Sequence, residues 1–163
     1  FTNVPLRETI NIALDLLFTS NDTKVEGMNR AQFKQYLELC TMNSVFLFNN
    51  KLYKQIDGVG MGLPHSPTFA NMFLCHHEEQ WLANCPADFK PVFYRRYVDD
   101  TFVLFREMEH ASSFLDYLNS RHPNIEFTFE SESSNSLSFL DIKVTRSGTQ
   151  FNTSIYRKPT FSG

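Results

Sequence analysis

No apolar run in these 163 residues approaches the roughly 18 that a membrane-spanning helix needs. No membrane partner is therefore expected. No leader pattern is visible. Internal repeats and low-complexity tracts are absent too, which excludes a repeat array. Cysteine is scarce: Cys40, Cys75 and Cys85 are odd in number, irregularly spaced and form no CxxC pair. That argues against a disulfide framework and for a reducing, intracellular setting. Positive charge is also short, with a formal net charge of −3. Taken alone, this weighs against nucleic-acid binding, which favours basic patches. The chain begins with Phe rather than Met and stops at "PTFSG". We therefore expect a fragment of a longer protein, whose other segments would alter the charge balance.

What is present is enough for one ordinary domain. Apolar residues make up 42% and 17 residues are Phe, so the chain can bury a core and is not disordered. After Pro5, Leu6, Ile10, Leu14 and Leu17 recur at helical spacing, with Arg7, Glu8, Asn11 and Asp15 elsewhere. A second helix starts at Asn29 as N-cap, with Phe33, Leu37 and Cys40 on one face. "VFLFNNKLYKQI" reads as a hairpin around Asn49-Asn50. A glycine-rich loop follows. Ser66 is then the expected N-cap and Pro67 the first residue of a helix to about Ala83. Ala70, Phe73 and His77 lie along one side of it. "CPADFKP" ends that helix, and a strand is expected on each side of Asp99-Asp100. "HASSFLDYLNSRH" reads as a helix. "NIEFTFE" alternates as a strand, with Ile125, Phe127 and Phe129 on one face. "ESESSNS" is a polar turn, and "LSFLDIKV" and "TQFNTSIY" form a last hairpin around "RSG". The expected class is α+β, one antiparallel sheet with helices packed on one face.

Asp99-Asp100 stands out within "YRRYVDDTFVLF". Aspartate is common at hairpin turns, where its side chain bonds local backbone. Yet a two-residue turn prefers Asn-Gly or Asp-Gly, and paired aspartates add like-charge repulsion. A bound cation would relieve it. Mg²⁺ takes carboxylate oxygens and keeps waters or substrate phosphates as its other ligands. A two-ion site would need a further carboxylate from another strand.

With these residues in view, "YVDD" between two strands resembles the catalytic hairpin of reverse transcriptases. "GMGLPHSPTFAN" upstream resembles that family's second motif, a glycine-rich loop with Ser-Pro opening a helix. Together with "FTNVPL", "FLDIKV" and "YRKPT", the pattern most resembles Penelope-like retroelement reverse transcriptases over essentially the whole chain. The resemblance implies a polymerase palm with partial fingers. Residues 1–57 would hold the helix after the first motif and a fingers/palm hairpin. Residues 58–136 would hold the palm with the glycine loop and YVDD hairpin, and 137–163 a terminal palm hairpin leading to the thumb. It implies an RNA-directed DNA polymerase using two Mg²⁺ ions, or Mn²⁺. An RNA template, a DNA primer and deoxynucleoside triphosphates would be its partners. So would the remaining fingers, the thumb and an endonuclease domain of a parent chain acting in the nucleus.

Residue by residue, the resemblance gives Asp99 the role of bridging the metals, with Asp100 assisting. Phe1 would be the steric gate against a 2′-hydroxyl. Gly62, Leu63, Pro64, Ser66, Pro67 and Tyr97 would meet the nucleotide or template. Arg157 and Lys158 would contact primer phosphates, or else are solvated charges. The family's first aspartate would precede Phe1, so the chain alone should be inactive. Met61 departs from the Gln of many reverse transcriptases, which withholds detailed nucleotide contacts there.

Other candidates keep two readings each. Gly58, Gly60 and Gly62 permit close backbone approach to a ligand, or only flexibility. "CHHEE" pairs His76 with Glu79 and Cys75 with Glu78 on helix faces, as a metal site or a polar face. Arg95 and Arg96 lie near the acidic centre or cap a sheet edge. Asp141, on a later strand, is structural or supports a basic residue, and Lys143 is a candidate proton donor to pyrophosphate. Two rival functions remain: a non-catalytic nucleic-acid-binding remnant, and an RNA-dependent RNA polymerase palm. The latter's turn more often carries Gly before the aspartates, and Phe1 would oppose its ribonucleotides.

Overall fold

A computed structural model describes residues 3–18, 23–56, 58–60 and 62–157. The chain forms two compact units, Phe1–Ala87 with Tyr117–Glu126, and Asp88–Asp116 with Phe127–Gly163.

In the first unit, helix α1 (Leu6–Leu17) buries Leu6, Ile10 and Leu14 as their spacing expects. Leu17, expected on the same face, is exposed because the helix ends there. Thr9 Oγ1 donates to the Pro5 carbonyl at 2.8 Å. Helix α2 (Arg30–Thr41) opens on a reciprocal capping box. The Gln32 N–H donates to Asn29 Oδ1, and the Asn29 N–H to Gln32 Oε1, both at 3.0 Å. Arg30 then reaches the end of α1, donating to the Leu14 carbonyl at 2.8 Å and Asp15 Oδ1 at 2.6 Å. Phe33 and Leu37 rest partly buried on the core. Cys40, expected beside them, is exposed, since α2 fully buries only Thr41. Strands β1 (Val45–Phe48) and β2 (Lys51–Lys54) pair around Asn49-Asn50, both at positive φ, the two-residue turn that asparagine tolerates.

Helix α3 (Ser66–Ala83) carries the innermost apolar face, with Ala70 and Phe73 fully buried. They join Val4, Ile10, Leu14, Val59 and Phe69 in one core. Ser66 is not the N-cap. His65 holds that position without a side-chain bond. Ser66 lies inside the helix because its hydroxyl donates to the Gly60 carbonyl instead. Pro67 is thus the second helical residue, still within the turn whose N–H groups need no intrahelical partner.

In the second unit, β3 (Phe93–Tyr97) and β4 (Asp100–Leu104) pair antiparallel from Phe93↔Leu104 to Tyr97↔Asp100. Helix α4 (Glu109–Asn119) starts in this unit. Its buried Phe114 meets the Tyr94 and Phe105 rings at 6.3 and 5.5 Å between centroids. Strands β5 (Ser136–Phe139), β6 (Ile142–Ser147) and β7 (Gln150–Ile155) form a three-stranded antiparallel sheet.

Three expectations change here. "LSFLDIKV" is not one strand: Phe139 pairs with Ile142, and Leu140, at φ +56°, and Asp141 make the turn between β5 and β6. Asp141 therefore sits on a turn. "NIEFTFE" forms no strand. Its alternation is real, but no ladder partner meets it; Ile125 packs on the first unit's core while Phe129 is exposed. Last, among the described residues the α+β content takes the form of three small antiparallel sheets, of two, two and three strands, rather than one sheet.

Candidate active site on the Tyr97–Asp100 hairpin

Pairing in the β3–β4 hairpin closes at Tyr97↔Asp100. The two central turn residues are therefore Val98 and Asp99. This corrects the expected Asp99-Asp100 turn: Asp100 already opens β4. The shift has a cost. Val98 takes φ +57°, a left-handed conformation that costs an L-residue about 1–2 kcal/mol and suits a β-branched side chain least. Arg96 helps hold it, donating to the Val98 carbonyl at 2.9 Å. Beneath the turn, the Phe102 ring meets Phe93 and Phe139 at 6.4 and 5.4 Å. Thr101, next to Asp100, has a buried hydroxyl with no hydrogen-bond partner among the described residues. Arg95 lies with its guanidinium 5.1 Å from the Phe93 ring centroid.

Both aspartates are exposed, as are Tyr97 and Val98. The hairpin therefore presents two consecutive hard-oxygen donors to solvent at its tip. That donor chemistry suits Mg²⁺, which accepts one or two carboxylates and completes its shell with water or phosphate oxygens. Among the described residues no third His, Cys, Asp or Glu joins the pair closely enough to share an ion.

The glycine-rich loop belongs to the first unit. Gly58 and Gly62 have φ +82° and +85°, which favours glycine at both positions. Gln55 Nε2 donates to the Gly58 carbonyl at 3.0 Å, and the Ser66 N–H to the Leu63 carbonyl at 3.0 Å. Ser66 is thus buried and works as the clasp of the loop. Gly62, Pro64 and Pro67 are exposed and Leu63 half-buried. Arg157 is exposed just beyond β7, and Lys143 is exposed on β6. Phe1, Met61 and Lys158 lie outside the described residues.

The "CHHEE" stretch behaves differently from its expected pairings. His76 Nε2 accepts from Gln80 at 3.2 Å, and neither His76–Glu79 nor Cys75–Glu78 belongs to a metal-sized group among the described residues. His77, the residue between, turns inward and meets Glu8 and His122. Burial holds the His77 pKa below its ordinary 6.5. The Glu8 hydrogen bond and charge oppose this, and His122 and His76 add to it. Sequence reasoning missed this trio because its members are far apart in the chain. The available signal was His77 on the same helix face as Ala70 and Phe73.

No family model matches the chain, and no curated protein matches it. Among solved structures, an apo telomerase from Candida tropicalis, truncated from its C-terminal domain, is similar with a TM-score of 0.65 at 14% identity. The match covers 93% of this chain and 33% of that one, so the chain spans about a third of its length. At that identity the likeness defines the fold, which is reverse transcriptase-like.

Proposed function

We propose that the chain is the central palm-and-fingers part of a Penelope-like retroelement reverse transcriptase. Its parent would be an RNA-directed DNA polymerase that adds deoxynucleotides to a primer 3′ end. The observation carrying this reading is the hairpin: two consecutive exposed carboxylates at a left-handed Val98 turn, in a chain of reverse transcriptase-like fold.

In this reading Asp99, at the hairpin tip, and Asp100 would hold Mg²⁺, or Mn²⁺. When bound, such ions supply charge neutralisation at the leaving pyrophosphate and activation of the attacking 3′-hydroxyl. The chain's own residues position. Arg96 fixes the turn carbonyl and Tyr97 closes the ladder under it, and the loop clasped by Ser66 would offer Gly62, Leu63, Pro64 and Pro67 to a template–nucleotide pair. Arg157 and Lys158 would neutralise primer phosphates, and Phe1 would gate the sugar. Because no third carboxylate joins Asp99 and Asp100 among the described residues, the 163-residue chain alone is expected not to polymerise. The rival reading is a nucleic-acid-binding remnant without chemistry, against which the intact Tyr97-Val98-Asp99-Asp100 sequence argues. The parent, if active, would work in the nucleus beside its remaining fingers, thumb and an endonuclease domain.

Primer extension by the parent protein on an RNA template, run separately with deoxy- and ribonucleotides, tests this. Extension with deoxynucleotides supports the proposal. Extension with ribonucleotides alone would point to an RNA-dependent RNA polymerase. Template binding without any extension would leave the remnant.

A further inference from the structure

We propose that Glu8, His77 and His122 form a site for one divalent transition-metal ion of the zinc class, separate from the aspartate hairpin. The three residues come from α1, α3 and the segment after α4, all within the first unit. His77 Nε2 lies 2.9 Å from Glu8 Oε1, and His122 Nε2 lies 3.2 Å from Glu8 Oε2. One donor atom from each residue falls within 4.8 Å of the other two. Ligands held about 2.0–2.2 Å from a tetrahedral zinc stand roughly 3.3–3.5 Å apart. Small movements of these side chains would therefore centre an ion.

The surroundings are those of a built site. The His77 and His122 side chains are only 16% and 10% exposed. Buried Phe73 puts its ring 4.5 Å from His77 and 5.1 Å from His122, edge to face. Trp81 stacks on His77 at 5.4 Å. These walls exclude water from the ring side. The Glu8 side chain is 40% exposed, so the open side faces solvent and leaves a coordination position for water. The neutral imidazole is the form that binds metals. Two imidazoles and one carboxylate favour zinc-class ions over Mg²⁺ or Ca²⁺, which take oxygen.

Without metal, the same atoms are held by protons. His77 Nε2 and His122 Nε2 each face a Glu8 oxygen, and His122 Nδ1 accepts the Asn124 backbone N–H at 3.2 Å. To hold an ion through both Nε2 atoms, each ring would carry its remaining proton on Nδ1, and the Asn124 N–H would turn to solvent. The ion would clip α1, α3 and the chain after α4 together.

Co²⁺ is the direct probe. The chelator-treated chain, with Cys40→Ser and Cys75→Ser to remove exposed thiols, is titrated with Co²⁺ and then Zn²⁺. One Co²⁺ per chain should give the visible absorption of a low-coordinate site, displaced by one equivalent of Zn²⁺. Glu8→Gln and His122→Gln should each weaken Co²⁺ binding by about a hundredfold, a quarter or so of a structural zinc site's binding energy. His76→Gln, outside the site, should leave it unchanged. No such absorption, or equal affinity in the Glu8 and His122 variants, would overturn the proposal. If those variants do not fold, the thermal midpoint of the unaltered chain decides: a rise with Zn²⁺ and none with Mg²⁺ supports the site, and no rise with Zn²⁺ refutes it.

Discussion

Thr101, beside Asp100 in β4, has a buried hydroxyl with no partner among the described residues. Thr9, fully buried in α1, donates its hydroxyl to the Pro5 carbonyl at 2.8 Å. The same substitution should therefore act with opposite signs. A buried, unsatisfied polar group costs about 1–3 kcal/mol. Thr101 is only half-buried as a residue, so we take the lower end. Valine keeps the shape and is favoured in a strand. Thr101→Val should thus stabilise the β3–β4 hairpin by about 1 kcal/mol. Thr9→Val instead deletes a made bond, worth about 1 kcal/mol net. The loss stays near that figure because the Pro5 carbonyl also accepts the Thr9 N–H at 3.0 Å and is not orphaned. The two variants should differ by about 2 kcal/mol, roughly 30-fold in the opening equilibrium. The two residues lie in different units, so residue-resolved amide exchange is the suitable assay. Protection should rise for β3–β4 amides in Thr101→Val and fall for α1 amides in Thr9→Val. Reduced β3–β4 protection in Thr101→Val would refute the reasoning about the orphaned hydroxyl.

Phe73→Ala removes a fully buried ring and should destabilise the first unit by about 3–5 kcal/mol in urea denaturation; a loss under about 1 kcal/mol would contradict the core assignment. Asn29→Ala breaks the capping box of α2 and should cost about 1 kcal/mol in the same assay. The His77 pKa is lowered from 6.5, so the unfolded chain takes up the proton first. The linked stability is present above pH 6.5 and is lost as the pH falls below it toward the folded value. Glu8→Gln removes the negative charge behind the two Glu8 contributions that raise this pKa; an NMR titration should find it lower still, and a rise would contradict the assigned causes.

Helices were legible where pattern and local chemistry agreed. The spacing of Leu6, Ile10 and Leu14 and the Asn29 cap led directly to α1 and α2. The Asn49-Asn50 turn was legible because asparagine tolerates positive φ. The turns at Val98-Asp99 and Leu140-Asp141 were not. Each has an apolar residue at φ +57° or +56°, where sequence rules expect Gly or Asn, so tertiary packing overrode the local signal. "NIEFTFE" shows the converse: alternation announces an extended amphipathic segment but cannot announce a ladder partner. The sequence favours Ser66 as a cap, yet its hydroxyl is taken by Gly60 across the loop. At the candidate site, the aspartates were legible as a pair, while their exact turn positions depended on register. Glu8, His77 and His122 became neighbours only through packing of three separate segments.

Asp99 and Asp100 are proposed above as the metal-holding pair of a polymerase hairpin. Primer extension by the parent protein on an RNA template, with Mg²⁺ and deoxynucleotides, is best measured beside its Asp99→Asn variant. Asparagine preserves the size of the side chain and removes the charge. Metal-ion stabilisation of several kcal/mol predicts extension slowed by at least about a hundredfold, with template affinity unchanged. Equal extension rates in the two proteins would contradict the account.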